Sequence, residues 1–374
     1  MDTRFSRLAD LLVRHSTHVV PSDIVIIECF DIPQLMIEAL VASVQLAGGH
    51  PIVWQKSWMT LRAILLQATA REIDVIAEAE LQQMRQASAY ISLRAPDNTL
   101  ELKDVPEEKM ALFQTNWLGK VHYQYRVHHT KWCSGKWPTS ALAQSAGMST
   151  GDFEDFFFQA CVEVDYGKMS TAMDPLVDLI QRTDRVRVTA PDTDVSFSIK
   201  GIGARKCAGD CNLPDGEVFT APVKESVNGN IAYNTPSIYQ GRAYDGISLS
   251  FRNGRIVSAH CRLGNSHSLE TVLDTDEGSR YVGEFAFGVN PVITRTVGDT
   301  MFDEKMSGSI HLTPGNSYKA AFNGNQSGIH WDLVLDQTAN SGGGDIYFDD
   351  VLIRRDGIFL LPELADLNPT SLTV

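Results

Sequence analysis

Three short runs near the start of the chain, IVIIECF (Ile24–Phe30), PIVWQ (51–55) and AYISL (89–93), are apolar and β-branched along most of their length. Strands of that kind are buried on both faces, which a parallel sheet covered by helices provides. The stretches around them are periodic enough to be those helices. Phe5, Leu8, Leu11 and Leu12 recur at helical spacing before the first run, and a helix is expected from about Pro33 to Gly48 and Gly49, where glycine takes the left-handed cap. Residues 61 to about 85 read as one helix and residues 107–117 as another. Strand, helix, strand at these intervals requires right-handed crossovers. No glycine-rich phosphate fingerprint follows any run, since Gly48-Gly49 closes a helix instead of opening one, so a nucleotide domain is not expected.

A loop is expected around Trp132, Cys133, Trp137 and Pro138. Ser149 and Asp152 then form a capping box for the aromatic helix DFEDFFFQACVEV (152–164), whose consecutive phenylalanines read as packing, and a further helix covers about 173–181. From Arg185 the period becomes two. RVRVTA (Arg185–Ala190) and VSFSIKG (195–201) alternate, Asn253-Gly254 suits a type I′ hairpin, and DIYFDDVLIRRDGIFL (345–360) reads as strands turning at Asp349-Asp350 and Asp356-Gly357. The expected fold class is therefore α/β: a parallel-sheet α/β domain over residues 1–184, then a β-rich α+β domain over 185–374 that carries the metal site.

The charge balance narrows the partners. With 46 acidic against 32 basic residues and a formal net charge of -14, the chain lacks the positive field that nucleic acid or an anionic membrane requires. No apolar run is long enough to span a bilayer, and the N-terminus lacks signal-peptide order, so a cytoplasmic protein is expected. The 6 cysteines have no framework spacing, which fits free thiols, and Cys207 and Cys211 lack the second pair a zinc finger needs.

GIHWDLVLD (328–336) sets His330 and Asp332 two positions apart in what reads as a short strand, so both side chains leave the same face. An imidazole and a carboxylate aimed at one point suit a borderline dication such as Zn, Co or Mn. Upstream, Glu217 lies in NLPDGEVFTAP (212–222), Glu284 in RYVGEFAFGVN (280–290) and His311 in DEKMSGSIHLTPGNSY (303–318). Carboxylates set among glycines and aromatic residues are costly to bury unless something positive meets them. Three carboxylates and two imidazoles exceed the needs of one tetrahedral zinc and match a co-catalytic pair of ions roughly 3.5–4 Å apart. Such a pair lowers the pKa of a shared water, polarises a carbonyl and holds a free amine, which is aminopeptidase chemistry. Tyr318, seven residues after His311, is placed to donate its phenolic proton to a developing oxyanion. His128 and His129 read as a surface loop, with a cavity lining as the alternative, and His260 and His267 as a strand end and a helix start, His267 being an alternative ligand.

In order and approximate spacing, these four segments resemble the signature segments of the thermophilic-aminopeptidase family of metallopeptidases. KWPTSALAQSAGMSTGDFEDFF (136–157) extends the likeness into the first domain, and APDTDVSFSIKG (190–201) carries it across the boundary into the second. The resemblance implies a dinuclear zinc- or cobalt-type exopeptidase acting on peptides or similar amides, as a homodimer enclosing an internal cavity. Glu217, Glu284, His311, His330 and Asp332 fall on the family's metal ligands, and Glu284 and Tyr318 on its two catalytic residues. Two departures stand out: Leu312, Thr313 and Pro314 replace the family's Ala-Leu or Ala-Phe after the histidine, and Glu304 is spaced differently from His311, which leaves it between ligand and general base. The scaffold also resembles ring-cleaving dioxygenases of dihydroxypyridines, where one Fe(II) sits on two histidines and a carboxylate; the presence of Glu217 and Glu284 argues against that reading. A catalytically inactive binding relative is the third.

Overall fold

The first apolar run, Ile24–Phe30, lies between His50–Lys56 and Ala89–Arg94 and is parallel to both. Lys131–Lys136 adds beside Ala89–Arg94, and Asn212–Leu213 beside that, so the sheet reads 2-1-3-4-5 in order of appearance along the chain, with every pairing parallel. The computed structural model describes residues 2–239 and 242–372. This sheet and its helices form a unit of Met1–Val162 with Gly209–Leu213, and Glu163–Ala208 with Pro214–Val374 form a second.

In the first unit the helix Gln34–Leu46 stops where expected, at Gly48 with φ +81°. The stretch expected as one helix over 61–85 is two, Trp58–Gln67 and Ala70–Met84. Thr69 divides them: its hydroxyl accepts from Glu72 N while the Glu72 carboxylate accepts from Thr69 N at 2.6 Å, a reciprocal cap that starts a new helix. The segment expected as a loop around Trp132 is the fourth strand. Gly135 makes that pairing feasible, because a Cβ there would sit 2.9 Å from the carbonyl oxygen of Leu213 on the fifth strand. The helix expected over 107–117 runs on, as Glu107–Leu112 and then a wider π-type winding over Phe113–Arg126.

The second unit begins one helix earlier than the change of periodicity at Arg185. Tyr166–Arg182 buries Met169, Met173, Leu176 and Ile180 and packs against Pro362–Leu367 near the end of the chain. Three antiparallel sheets follow, one of them only the two-stranded pair of Ser237–Tyr239 and Arg242–Tyr244. The eight-stranded one holds the hairpins expected from sequence, with Asn253 at φ +49° and Gly254 at +81°, and Asp349, Asp350 and Asp356 all left-handed at their turns. The five-stranded one is ordered Val334–Asp336, Ser309–Pro314, Val282–Gly288, Glu217–Thr220, Arg205–Cys207. Along its central strand, side chains alternate between faces. Phe285 and Phe287 enter the core, where Phe287 meets the rings of Phe348 at 6.0 Å and Phe359 at 5.8 Å, while Glu284 leaves by the opposite face.

Because Phe287 is fully buried in that core, Phe287→Ala is expected to lower the unfolding free energy by about 3–5 kcal/mol through lost transfer energy and a residual cavity. Urea denaturation measures it. A loss below about 1 kcal/mol would mean the two sheets close over the gap and the ring is not a keystone of the core.

Candidate metal centre

Glu284 sits on the central strand of the five-stranded sheet, flanked on one side by the strand bearing His311 and on the other by the strand bearing Glu217. Register places Ala286 opposite His311 and Gly288 opposite Glu217. A bulge just before Glu284 re-aims its side chain, and Gly283 permits it: a Cβ there would lie 2.2 Å from the carbonyl oxygen of Asn316. His311 Nε2 is 2.9 Å from Glu284 Oε1 and 3.6 Å from Glu217 Oε2. The other oxygen of Glu284 faces His330, with Oε2 3.9 Å from its Nε2, and Asp332 Oδ1 is 3.2 Å from the same nitrogen.

His330 and Asp332 share a face, but not through a regular strand. The strand begins only at Val334, and His330 holds a single bridge to Gly315. Pro314, with no N–H to donate, interrupts the ladder opposite this segment. Side chains take over its positioning: Thr313 Oγ1 donates to Asp332 Oδ1 at 2.7 Å, and His330 Nδ1 pairs with the carbonyl oxygen of Asn316 at 2.8 Å. That carbonyl can only accept, so Nδ1 carries a proton and Nε2 is the nitrogen aimed inward, the one that would bind an ion on giving up its own proton. Thr313 and Pro314, the departures from the family pattern, thus shape the segment that presents Asp332.

Tyr318 lies across His330, ring centroids 4.6 Å apart, and is 47% exposed where the other site groups are buried or nearly so. Glu304 is joined to the cluster through Lys305, whose Nζ is 2.8 Å from Glu304 Oε1, 2.7 Å from Glu217 Oε1 and 3.7 Å from Asp215 Oδ1. Neither Lys305 nor Asp215 was singled out in the sequence. A lysine in DEKMSG reads as a surface residue, since lysine is rarely buried without partners. Its only sequence signal is its place in a segment dense with glycine and small residues. His267 is exposed and lies outside every cluster of potential ligands among the described residues, and His128 and His129 are exposed on the short helix Val127–His129.

Crowded carboxylates dominate the electrostatics. Burial pushes the Glu304 carboxyl up to about 8 even though Lys305 pulls it down, and burial also raises Glu284. Burial opposes charge on the imidazoles, yet the hydrogen bond to Glu284 and the neighbouring carboxylates lift His311 to about 9, and Asp332 lifts His330 to about 10. Asp332 keeps its charge against burial because His330 faces it. The cage therefore draws positive charge inward.

The donor set fits divalent ions. Ligand atoms of Glu217, Glu284 and His311 lie within 4.8 Å of one another, as do those of Glu284, His330 and Asp332, so one carboxylate belongs to both triads. Glu217 Oε2 and His311 Nδ1 are buried without a hydrogen-bond partner. An orphaned carboxylate oxygen pointing into a cluster of nitrogen and oxygen donors is what a bound cation would satisfy.

A model of the thermophilic metalloprotease (M29) family matches residues 1–359. Aminopeptidase 2 of Geobacillus stearothermophilus is 26% identical over 332 residues, covering 77% of this chain and 76% of that protein. Among solved structures, wild-type AmpT from Thermus thermophilus aligns over 96% of this chain and 99% of its own with a TM-score of 0.79 at 21% identity. That of 2,5-dihydroxypyridine dioxygenase from Pseudomonas putida KT2440 aligns over 98% and 99%, with a TM-score of 0.61 at 12% identity. At such identities both structural likenesses speak to the fold alone.

Lys305 is the counter-ion of this centre, so Lys305→Met should destabilise the metal-free protein by about 3–5 kcal/mol, the cost of stranding buried carboxylates. Added divalent metal should restore part of the lost melting temperature. A metal-free variant that melts with the parent would show that Lys305 is not needed to hold Glu217 and Glu304 together.

Proposed function

We propose, from the premise that the chain belongs to the thermophilic metalloprotease (M29) family, that it is a metallo-aminopeptidase hydrolysing the N-terminal peptide bond, or a similar amide, at a two-ion centre. Glu217, Glu284 and His311 would hold one divalent ion, and Glu284, His330 and Asp332 the other, Zn, Co and Mn all suiting such donors. The observation that carries this reading is that Glu284 belongs to both donor triads, one oxygen toward His311 and the other toward His330. When bound, such ions supply Lewis acidity to the scissile carbonyl and lower the pKa of a water.

The chain's own groups do the rest. Glu284, its carboxyl raised by burial, takes the proton of the attacking water and passes it to the leaving amine. Tyr318, the exposed member of the group, donates its phenolic hydrogen bond to the oxygen of the tetrahedral intermediate. Thr313 and the Asn316 carbonyl hold Asp332 and His330 in orientation. Lys305 pairs with Glu217 without occupying its free oxygen, since Nζ meets Oε1 and leaves Oε2 inward. A homodimer and a cytoplasmic setting complete the proposal, the first resting on the family resemblance. The second is supported by cysteines of which none forms a disulfide.

A single-iron oxygenase site would use two imidazoles and one carboxylate, leaving Glu217 and Lys305 without a task, so hydrolysis is preferred to ring cleavage. In metal-replete protein, Glu284→Gln is expected to lower kcat/KM for an aminoacyl-p-nitroanilide by about 10²–10⁴-fold. Tyr318→Phe should lower kcat by about 10²–10³-fold with ion content unchanged. Elemental analysis should return two ions per chain. Unimpaired turnover by Glu284→Gln removes it from the mechanism, while one iron per chain with oxygen uptake on a dihydroxypyridine transfers the assignment to the oxygenase.

A further inference from the structure

The two donor triads are built differently. Glu217, Glu284 and His311 are buried on strands fixed by backbone pairing on both sides of Glu284, whereas His330 and Asp332 are half-buried on a segment that joins the sheet through the bridge of His330 to Gly315. Ligands on regular strands are placed more precisely than ligands on irregular backbone. Between His330 and Asp332 lies Trp331, 1% exposed and among the largest fully buried side chains. Because it adjoins both ligands in the chain, whatever fixes its indole limits how far either can move.

One element fixes it. Tyr239 stacks on the indole with ring centroids 4.5 Å and planes 18° apart, Tyr244 lies at 5.2 Å, and Ser237 Oγ accepts from Nε1 at 2.9 Å. All three residues belong to the two-stranded pair of Ser237–Tyr239 and Arg242–Tyr244. That pair is anchored in turn, since the Tyr244 hydroxyl pairs with Ser268 Oγ at 2.8 Å on the helix Ser266–Leu273. Leading into it, Thr235 Oγ1 donates to the Val334 carbonyl oxygen at 2.7 Å, and Asn234 exchanges bonds of 2.8 and 2.9 Å with the Asp336 backbone. Residues 234–237 therefore run against 331–336 and bond the edge strand of the five-stranded sheet through side chains.

We propose that Trp331 is a positioning residue for the second ion, and that the two-stranded pair clamping it sets how tightly that ion is held. The inference rests on the two-ion reading above. Its consequence is a pair of unequal ions: the one on Glu217, Glu284 and His311 is held by the sheet, and the one on Glu284, His330 and Asp332 depends on the clamp. A change in the clamp removes no donor atom, so it acts by loosening the orientation of His330 and Asp332.

Zinc titration of the metal-free protein, by equilibrium dialysis against buffered zinc with elemental analysis, tests it. The parent should bind two ions with Kd values about tenfold or more apart. His330→Ala should keep only the tighter ion, which assigns the two constants to their triads. Trp331→Phe should weaken the looser ion about 10–100-fold, and Ser237→Ala, which leaves the indole in place, about 3–10-fold. The tighter Kd should be unchanged in both variants, which also shows that they are folded. Three outcomes overturn the inference alone: two ions of equal affinity in the parent, a looser Kd in both variants within about twofold of the parent's, or both ions weakened together, which would make Trp331 a general core residue. A parent that takes up one zinc or none overturns the two-ion reading itself, and this inference with it.

Discussion

The carboxylates buried around Lys305 are the constraint on which the second unit depends. Asp215, Glu217, Glu284 and Glu304 are each at most 8% exposed, and Lys305, itself 1% exposed, is the ammonium that meets Asp215, Glu217 and Glu304. Isolated, any one of them would lose its charge or unfold its surroundings. Together they persist because rigid neighbours fix them. The central strand is fully buried on both faces, aromatic on one and acidic on the other, so Glu284 cannot relax toward water without breaking the Phe285 and Phe287 packing behind it. The fold thereby sustains an excess of negative charge at one point, and positive charge must be supplied from somewhere. Protons on His311 and His330 are one source and divalent ions another; only the second also brings Lewis acidity.

How much of this was legible follows from which forces are local. The parallel strands and the Asn253-Gly254 and Asp356-Gly357 turns announce themselves because hydrophobic runs and left-handed turn residues act within a few positions. The strand Lys131–Lys136 does not: KWCSGK has little β-propensity, and it is a strand because its neighbours offer two edges and Gly135 lets one of them close. The helix break at Thr69 was readable as a capping box yet lost in a longer apolar period. At the site, His311, Glu284 and Glu217 stood out because carboxylates and histidines amid glycine and aromatic residues have few mundane uses. Lys305 stood out only once the carboxylates it neutralises had been brought together, which is a property of the register between strands and not of any one segment.

The two halves of the molecule differ in how far their buried charges are satisfied. Glu28 is as deeply buried as Glu217, yet Lys56, Arg94 and Tyr90 satisfy both of its oxygens. Glu217 is satisfied on one oxygen and bare on the other. A buried group left short of partners points to what is missing, and the sign of the shortage gives the sign of the partner. At the metal centre the stranded atom includes an acceptor, so the missing partner is a cation. In the N-terminal unit the stranded atoms of Trp58 and Arg94 are donors, so what they lack is an acceptor. Arg126 and Arg354 also carry unpaired N–H groups, but their guanidinium carbons lie 4.2 Å from the Trp132 ring centre and 5.1 Å from that of Phe287, where the π face offers partial compensation. Arg94 is 5.8 Å from Phe30, the longest of these contacts.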